Sequence, residues 1–206
     1  MRQKKQEMHR ITCLSITLLL VPIAAFAQTP QFQLYGGYAY AHVDSGGVTE
    51  LLTDLSRNWN GWEASFATNF TRFVGVNFDF SGDYGSSSLE SPENFTPRLR
   101  QQTQTPFFYS YMAGPQFLLP AGPFLVFAHA MAGATQMKRE FAGPYFPVIR
   151  SDIAFGSVIG AGIDLNLTQY VALRIAQADY LISKNFGGEQ NNLRVSGGIV
   201  FKFGSR

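Results

Sequence analysis

Apolar and polar residues alternate along most of this chain, in segments that recur about every 20 residues. A period of two points to strands, whose successive side chains face opposite sides. Eight such segments can be traced. They read QFQLYGGYAYAHV (31–43), NWNGWEASFATN (58–69), FVGVNFDFSGDY (73–84) and PFFYSYMAGPQFLL (106–119). They continue as PFLVFAHAMAGATQ (123–136), DIAFGSVIGAGIDLN (152–166), YVALRIAQADYLI (170–182) and NLRVSGGIVFKFG (192–204). Each reaches the roughly 9–11 residues with which a tilted strand crosses a bilayer. Strands of soluble proteins are usually about 5–6 residues long.

The alternation sorts residues onto two faces of different character. In the third segment Val74, Val76, Phe78 and Phe80 lie opposite Gly75, Asn77, Asp79 and Ser81. In the sixth, Ile153, Phe155, Ile159, Ala161, Ile163 and Leu165 lie opposite Gly156, Gly160, Gly162, Asp164 and Asn166. In the eighth, Leu193, Val195, Ile199, Phe201 and Phe203 oppose Arg194, Ser196, Gly198 and Lys202. A soluble sandwich would expose its second face to water and would rarely fill it with Gly, Ala and Ser. Small residues there suit the cramped inside of a narrow barrel, and the apolar face then meets lipid. The fold expected is all-β, an eight-stranded antiparallel up-and-down transmembrane β-barrel.

The connections alternate long and short. Residues 44–57, 85–105, 137–151 and 183–191 are long and polar, whereas Phe70-Thr71-Arg72, Pro120-Ala121-Gly122 and Leu167-Thr168-Gln169 are tight. Outer-membrane barrels pair long extracellular loops with short periplasmic turns, so both chain ends are expected on the periplasmic side. Aromatic residues gather at segment ends: Tyr38, Tyr40, Trp59 and Trp62 toward the loops, and Phe70, Phe73, Phe117, Phe124 and Tyr170 toward the turns. Two interfacial girdles would have this arrangement.

The last segment carries the most specific motif. Ser196, Gly198, Phe201 and Phe203 match the polar–x–Gly–x–x–Φ–x–Φ pattern of a strand-borne assembly signal. With it, residues 31–204 resemble the OmpA-like family of eight-stranded outer-membrane β-barrels. The resemblance implies that this strand is presented to the barrel-insertion machinery. Family members often end on the aromatic itself, whereas Gly204-Ser205-Arg206 follows here. The peptidoglycan-binding periplasmic domain of longer members is not expected, since the chain stops at the eighth strand.

Composition narrows the function classes. Charged residues make up 15% of the chain, too few for a disordered or polyionic tail. Past residue 27 no run of about 20 apolar residues could span a membrane as a helix. Residues 1–27 read as a signal peptide, with a basic start (Arg2, Lys4, Lys5, Arg10), an apolar stretch over 11–24 and an A-x-A site at Ala25-Phe26-Ala27. Cys13 opens that stretch rather than ending it, so lipidation is not expected. Cleavage removes four basic residues and one acidic one, turning a net charge of +2 into −1 for residues 28–206. That leaves no basic footprint for nucleic acid, and no cysteine for a disulfide or thiolate metal site.

Six charges fall on the small-residue face: Glu63, Asp79 and Asp164 against Arg174, Arg194 and Lys202. An ion pathway or a catalytic carboxylate pair could be built from them. Three against three favours a paired plug, since unpaired buried charge is costly. Arg174 and Asp179 have opposite parity, which a β-bulge between Ile175 and Asp179 would reconcile. His42 stands near Asp44 and Ser45, but neighbours on one strand point apart and no nucleophile motif surrounds them. It reads as a solvated rim residue, and His129, between Ala128 and Ala130, as a satisfied interior one. No metal spacing or cofactor motif is present. The function expected is a non-enzymatic barrel, structural or surface-interacting through its long loops. The partners expected are outer-membrane lipid and an extracellular ligand that the sequence does not name, for a chain acting as a monomer. The alternatives are a lipid-modifying barrel enzyme and a small, low-conductance pore.

Overall fold

The computed structural model describes residues 29–43, 58–85, 87–89, 102–142, 148–185 and 189–205. Eight long strands follow one another: β1 (Pro30–Val43), β2 (Asn58–Asn69), β3 (Val74–Tyr84) and β4 (Gln102–Ala121), then β5 (Phe124–Ala142), β6 (Val148–Asn166), β7 (Val171–Ser183) and β8 (Gln190–Ser205). Each pairs antiparallel with the next, and β1 pairs with β8 over Pro30–Val43, so the sheet closes on itself. Ser87–Leu89 continues the β3 ladder against β4 in unchanged register. Closure gives every strand two partners, which satisfies backbone N–H and C=O groups that lipid cannot.

Alternation places the faces as the sequence reads them. Val74, Phe78, Phe80, Ile153, Phe155, Ile159, Ile199, Phe201 and Phe203 are exposed on the outer wall, while Asn77, Asp79, Ser81, Gly160 and Ser196 are buried within. Girdle residues Tyr38, Tyr40, Trp62, Phe70, Phe73, Phe117, Phe124 and Tyr170 are likewise exposed. Trp59 is the correction. It shares parity with Glu63 and is 2% exposed inside the barrel, packed with Ala41, Phe108 and Met137.

Three connections at one end are short, and each has a local cause. Thr71 Oγ1 accepts from the backbone N–H groups of Phe73 (3.2 Å) and Val74 (3.0 Å). Thr168 Oγ1 repeats this with Tyr170 (3.1 Å) and Val171 (2.9 Å). Such hydroxyl turns reverse the chain in few residues. The third is a two-residue hairpin from Ala121 to Phe124, with Gly122 at φ 63°, the left-handed conformation its first central position requires. Thr29 and Pro30 are tied to this same end, through Thr29 Oγ1 to the Arg72 carbonyl (3.1 Å) and Asn69 Nδ2 to the Pro30 carbonyl (2.8 Å).

At the other end the strands run further than hydrophobic alternation suggests. The connections expected over 85–105 and 137–151 are in part ladder: Thr103 pairs with Ala142, Lys138 with Ser151 and Phe141 with Val148. Backbone pairing continues past the apolar band because a hairpin in water needs no apolar outer face. The proposed signal peptide, and Asp44 and Ser45 beside His42, lie outside the described residues.

Candidate functional site

The barrel interior is the place where chemistry-bearing residues converge. All six charges expected there are buried: Glu63 on β2, Asp79 on β3, Asp164 on β6, Arg174 on β7, and Arg194 and Lys202 on β8. Two further carboxylates join them, Asp83 on β3 and Asp179 on β7. The balance of three against three is therefore overturned: among the described residues the interior holds five carboxylates and three basic side chains, with His129 beside them. Asp83 has the same parity as Asp79 and was recoverable from it. Asp179 joins them through an inserted residue, the β-bulge that its parity against Arg174 led us to expect between Ile175 and Asp179.

That insertion sits on β7. Asp164 pairs with Arg174 and Ile163 with Ala176, and on the other side Arg174 pairs with Gly198 and Gln177 with Ser196. Two residues, Ile175 and Ala176, thus face outward in succession, and inward parity resumes at Gln177. The bulge lets Arg174, Gln177, Asp179 and Leu181 share one face of a single strand.

Two polar knots result. In the first, Arg174 donates from Nε to Asp164 Oδ1 (2.8 Å) and from Nη2 to Asp164 Oδ2 (3.2 Å), a bidentate pair between residues directly opposite. Its guanidinium lies between the rings of Tyr35 and Phe127, 4.1 and 4.2 Å from their centroids. Such stacking offsets part of the desolvation of a buried cation. Lys202, two positions from Val200 on the same face, donates to Asn166 Oδ1 (2.9 Å).

The second knot centres on Arg194. Its Nη2 donates to Asp179 Oδ2 (2.7 Å) and to Asp79 Oδ1 (3.1 Å), and its Nε stands 3.5 Å from Glu63 Oε2. Three strands thus converge on one guanidinium. Gln177 links the two knots, accepting from Arg174 Nη1 (2.6 Å) and donating to Glu63 Oε1 (2.6 Å) and Asp179 Oδ2 (2.8 Å).

His129 completes the second knot from β5. Its Nε2 lies 2.9 Å from Asp179 Oδ1 although β6 runs between them. Gly160 makes this reach possible, because a Cβ there would stand 2.6 Å from His129 Nε2 and closer still to Asp179 Oδ1. The imidazole also stacks on Phe127. His42, by contrast, is exposed on the outer side of β1, with Nδ1 3.0 Å from Asn58 Oδ1. The structure brings the two histidines to opposite sides of the wall.

Charges do not fill the lumen alone, which is a second difference from the sequence reading. Leu118, Leu125 and Phe127 pack together near the short-turn end. Trp59, Phe108, Met112, Met131, Met137, Val158 and Leu181 pack with Ala41 toward the other end. The polar knots lie between two apolar layers. Alternation alone gave no sign of these layers, because strands β4 and β5 are apolar on both faces.

In the last strand Ser196 and Gly198 face inward, and Phe201 and Phe203 are exposed outside. Gly198 packs so tightly on Gly36 and Gly37 of β1 that a Cβ would meet their backbone. The small residue is thus needed where the first and last strands meet.

An apolar outer wall, an interior lined by buried polar and charged side chains and a closed ring of eight strands define the class: a transmembrane β-barrel of the outer-membrane type. The model of the outer membrane protein beta-barrel domain family matches residues 12–204, and the chain belongs to that family. Membership places it in the bacterial outer membrane. Among solved structures, Ail, the attachment invasion locus protein of Yersinia pestis, is 21% identical with a TM-score of 0.56, covering 84% of this chain and 99% of its own. OprG of Pseudomonas aeruginosa is 13% identical with a TM-score of 0.49, covering 86% of this chain and 97% of its own. No curated protein matches the chain in sequence.

Proposed function

We propose that the protein is a non-enzymatic outer-membrane barrel with a plugged lumen, whose structural or surface-interaction role is carried by its long connections. In this reading the long connections are extracellular and both chain ends periplasmic. The observation that carries it is the Arg194 knot: side chains from β2, β3, β7 and β8 meet at one buried guanidinium, between two apolar layers. Eight strands leave an interior that side chains can fill, and paired charges exclude a continuous water column. His129 supports a structural role over a catalytic one, since its Nε2 is committed to Asp179 and its ring is buried against Phe127. Ser196, Gly198, Phe201 and Phe203 serve recognition by the barrel-insertion machinery.

The test is conductance in planar bilayers. The wild-type barrel should show no large steady current, and Arg194→Ala should raise whatever current exists by loosening the plug. A large wild-type conductance that Arg194→Ala leaves unchanged would mean an open pore. A loop-deletion series in the native host addresses the surface role, because barrel loops carry specificity while the wall carries stability.

A further inference from the structure

The barrel wall is uneven at its long-connection end. β6 begins at Val148, but its pairing with β7 stops where Gly156 meets Ser183. Among the described residues no strand lies beside Val148–Phe155 on the side away from β5. The opposite margin of the same extension is covered, since Ser87–Leu89 pairs with β4 at Gln102–Gln104. An uncovered margin presents backbone N–H and C=O groups to any arriving strand, and here it continues the β6–β7 ladder. Proline, lysine or a bulge would blunt such an edge, and Val148–Phe155 has none of them; its register against β5 is unbroken. Ile153 and Phe155 are 69% and 71% exposed on its outer face.

The order of residues along this edge selects its occupant. By strand parity Ile149, Ser151 and Ile153 fall on one face, and Arg150 and Asp152 on the other. The run Ile149-Arg150-Ser151-Asp152-Ile153 is symmetric about Ser151 in apolar and charged positions, with the two charges opposite in sign. A second copy laid antiparallel and centred on Ser151 therefore sets Arg150 opposite Asp152 and Ile149 opposite Ile153, in both halves of the contact. Within the chain neither charge has such a counterpart directly across the ladder, because Arg150 stands opposite Arg139 and Asp152 opposite Met137. Opposite charges across a ladder stabilise it, and like charges destabilise it. An unrelated strand lacks this match, and a parallel copy in register would set Arg150 beside Arg150.

We propose that Val148–Phe155 is a self-recognition edge, through which two copies of this chain join antiparallel and carry the sheet from one barrel into the next. Symmetry fixes where the copies stand. Antiparallel strands of identical chains are related by a two-fold axis perpendicular to their sheet. The barrel wall stands across the membrane, so this axis lies parallel to the membrane plane and the two barrels point in opposite directions. Each barrel stays a monomer in its own membrane, and the contact forms between facing membranes. This rests on the proposed extracellular placement of the long connections, and it narrows the surface role to adhesion between cells that carry the chain. One such ladder is short, but many copies on two facing surfaces act together.

Vesicles reconstituted with the barrel from detergent, so that both orientations occur, test this by light scattering. Wild-type vesicles should cluster. Arg150→Asp and Asp152→Arg each set like charges across the two-fold, so vesicles carrying either variant alone should cluster about tenfold more weakly. A mixture of the two variants should cluster again, because the arginines of one then face the aspartates of the other. Should a variant not fold, a synthetic peptide of residues 148–155 added to the wild type gives the same information. It should disperse the clusters, whereas the peptide with its arginine and aspartate exchanged should not. Wild-type vesicles that stay dispersed, single variants that cluster as the wild type does, or clusters that both peptides leave intact would overturn the proposal. A tag in the 143–147 connection, detected on intact cells, tests the placement separately. A hidden tag overturns the extracellular reading and the contact between cells with it, whereas a displayed tag with dispersed wild-type vesicles overturns the pairing alone.

Discussion

Replacing Arg194 by alanine removes the only guanidinium within ion-pair distance of Asp79 and Glu63 among the described residues. Its side chain is 3% exposed and touches three carboxylates at 2.7, 3.1 and 3.5 Å. Had these been surface pairs, each would contribute at most about 1 kcal/mol and salt would screen them. Buried, the loss is of a different kind: it leaves carboxylates in a poorly solvated interior with no cation opposite. Removing one partner of such a pair costs about 3–5 kcal/mol. The lower end applies here, because Asp179 keeps His129 and Gln177 as partners and because the truncated side chain leaves room for water. We therefore expect about 3 kcal/mol, equivalent to a folding equilibrium roughly a hundredfold weaker. Urea unfolding in lipid vesicles, followed by fluorescence of Trp59 and Trp62, measures it. Trp59 sits in the apolar layer beside the knot and Trp62 on the outer wall, so the two report inside and outside of the same transition. A loss below about 1 kcal/mol that vanishes in high salt would show the knot to be hydrated and the reasoning wrong.

The lipid-facing register gives a second expectation. Phe78→Arg, in mid-strand on the outer wall, should cost about 2–4 kcal/mol, whereas Phe73→Arg at the turn-end girdle should cost about 1 or less. Equal losses in a folding titration would reject this depth assignment. Processing gives a third: mass spectrometry of the outer-membrane fraction should find a mature N-terminus at Gln28, and recovery of only the full-length chain would refute cleavage after Ala27.

Most of the barrel was legible because one face of every strand meets lipid, which imposes apolar residues at every second position. Val74, Phe78 and Phe80 declare both their strand and its orientation by that rule. The misreadings have separate physical origins. Trp59 was assigned by the preference of tryptophan for interfaces, although its parity with Glu63 places it inside. The ladder beyond Gln136 was invisible because its residues, such as half-buried Lys138 opposite Ser151, are polar, so pairing continues where hydrophobic alternation stops. Asp179 was left out of the count of inward charges because one extra residue inverts every parity after it, although the bulge itself was legible in the clash of parity between Arg174 and Asp179. The apolar layers of the interior could not be inferred from strands such as β4, where Phe108 and Met112 face in while Tyr111 and Phe117 face out.

The bulge at Ile175–Ala176 also bears on how the barrel avoids closing wrongly. In a regular strand, a slip of two residues keeps every side chain on its proper face and goes unpunished by lipid. On β7 the extra residue is compensated by Gly198 and Ser196 on one side and by Ile163 and Asp164 on the other. A two-residue slip would move Arg174 away from Asp164 and Asp179 away from Arg194 together, separating both bonded pairs at once. A one-residue slip would instead turn Arg174 or Asp179 toward hydrocarbon. The irregularity thus acts as an alignment key during closure: of the pairings open to this strand, the native one alone keeps every charge both inside and partnered.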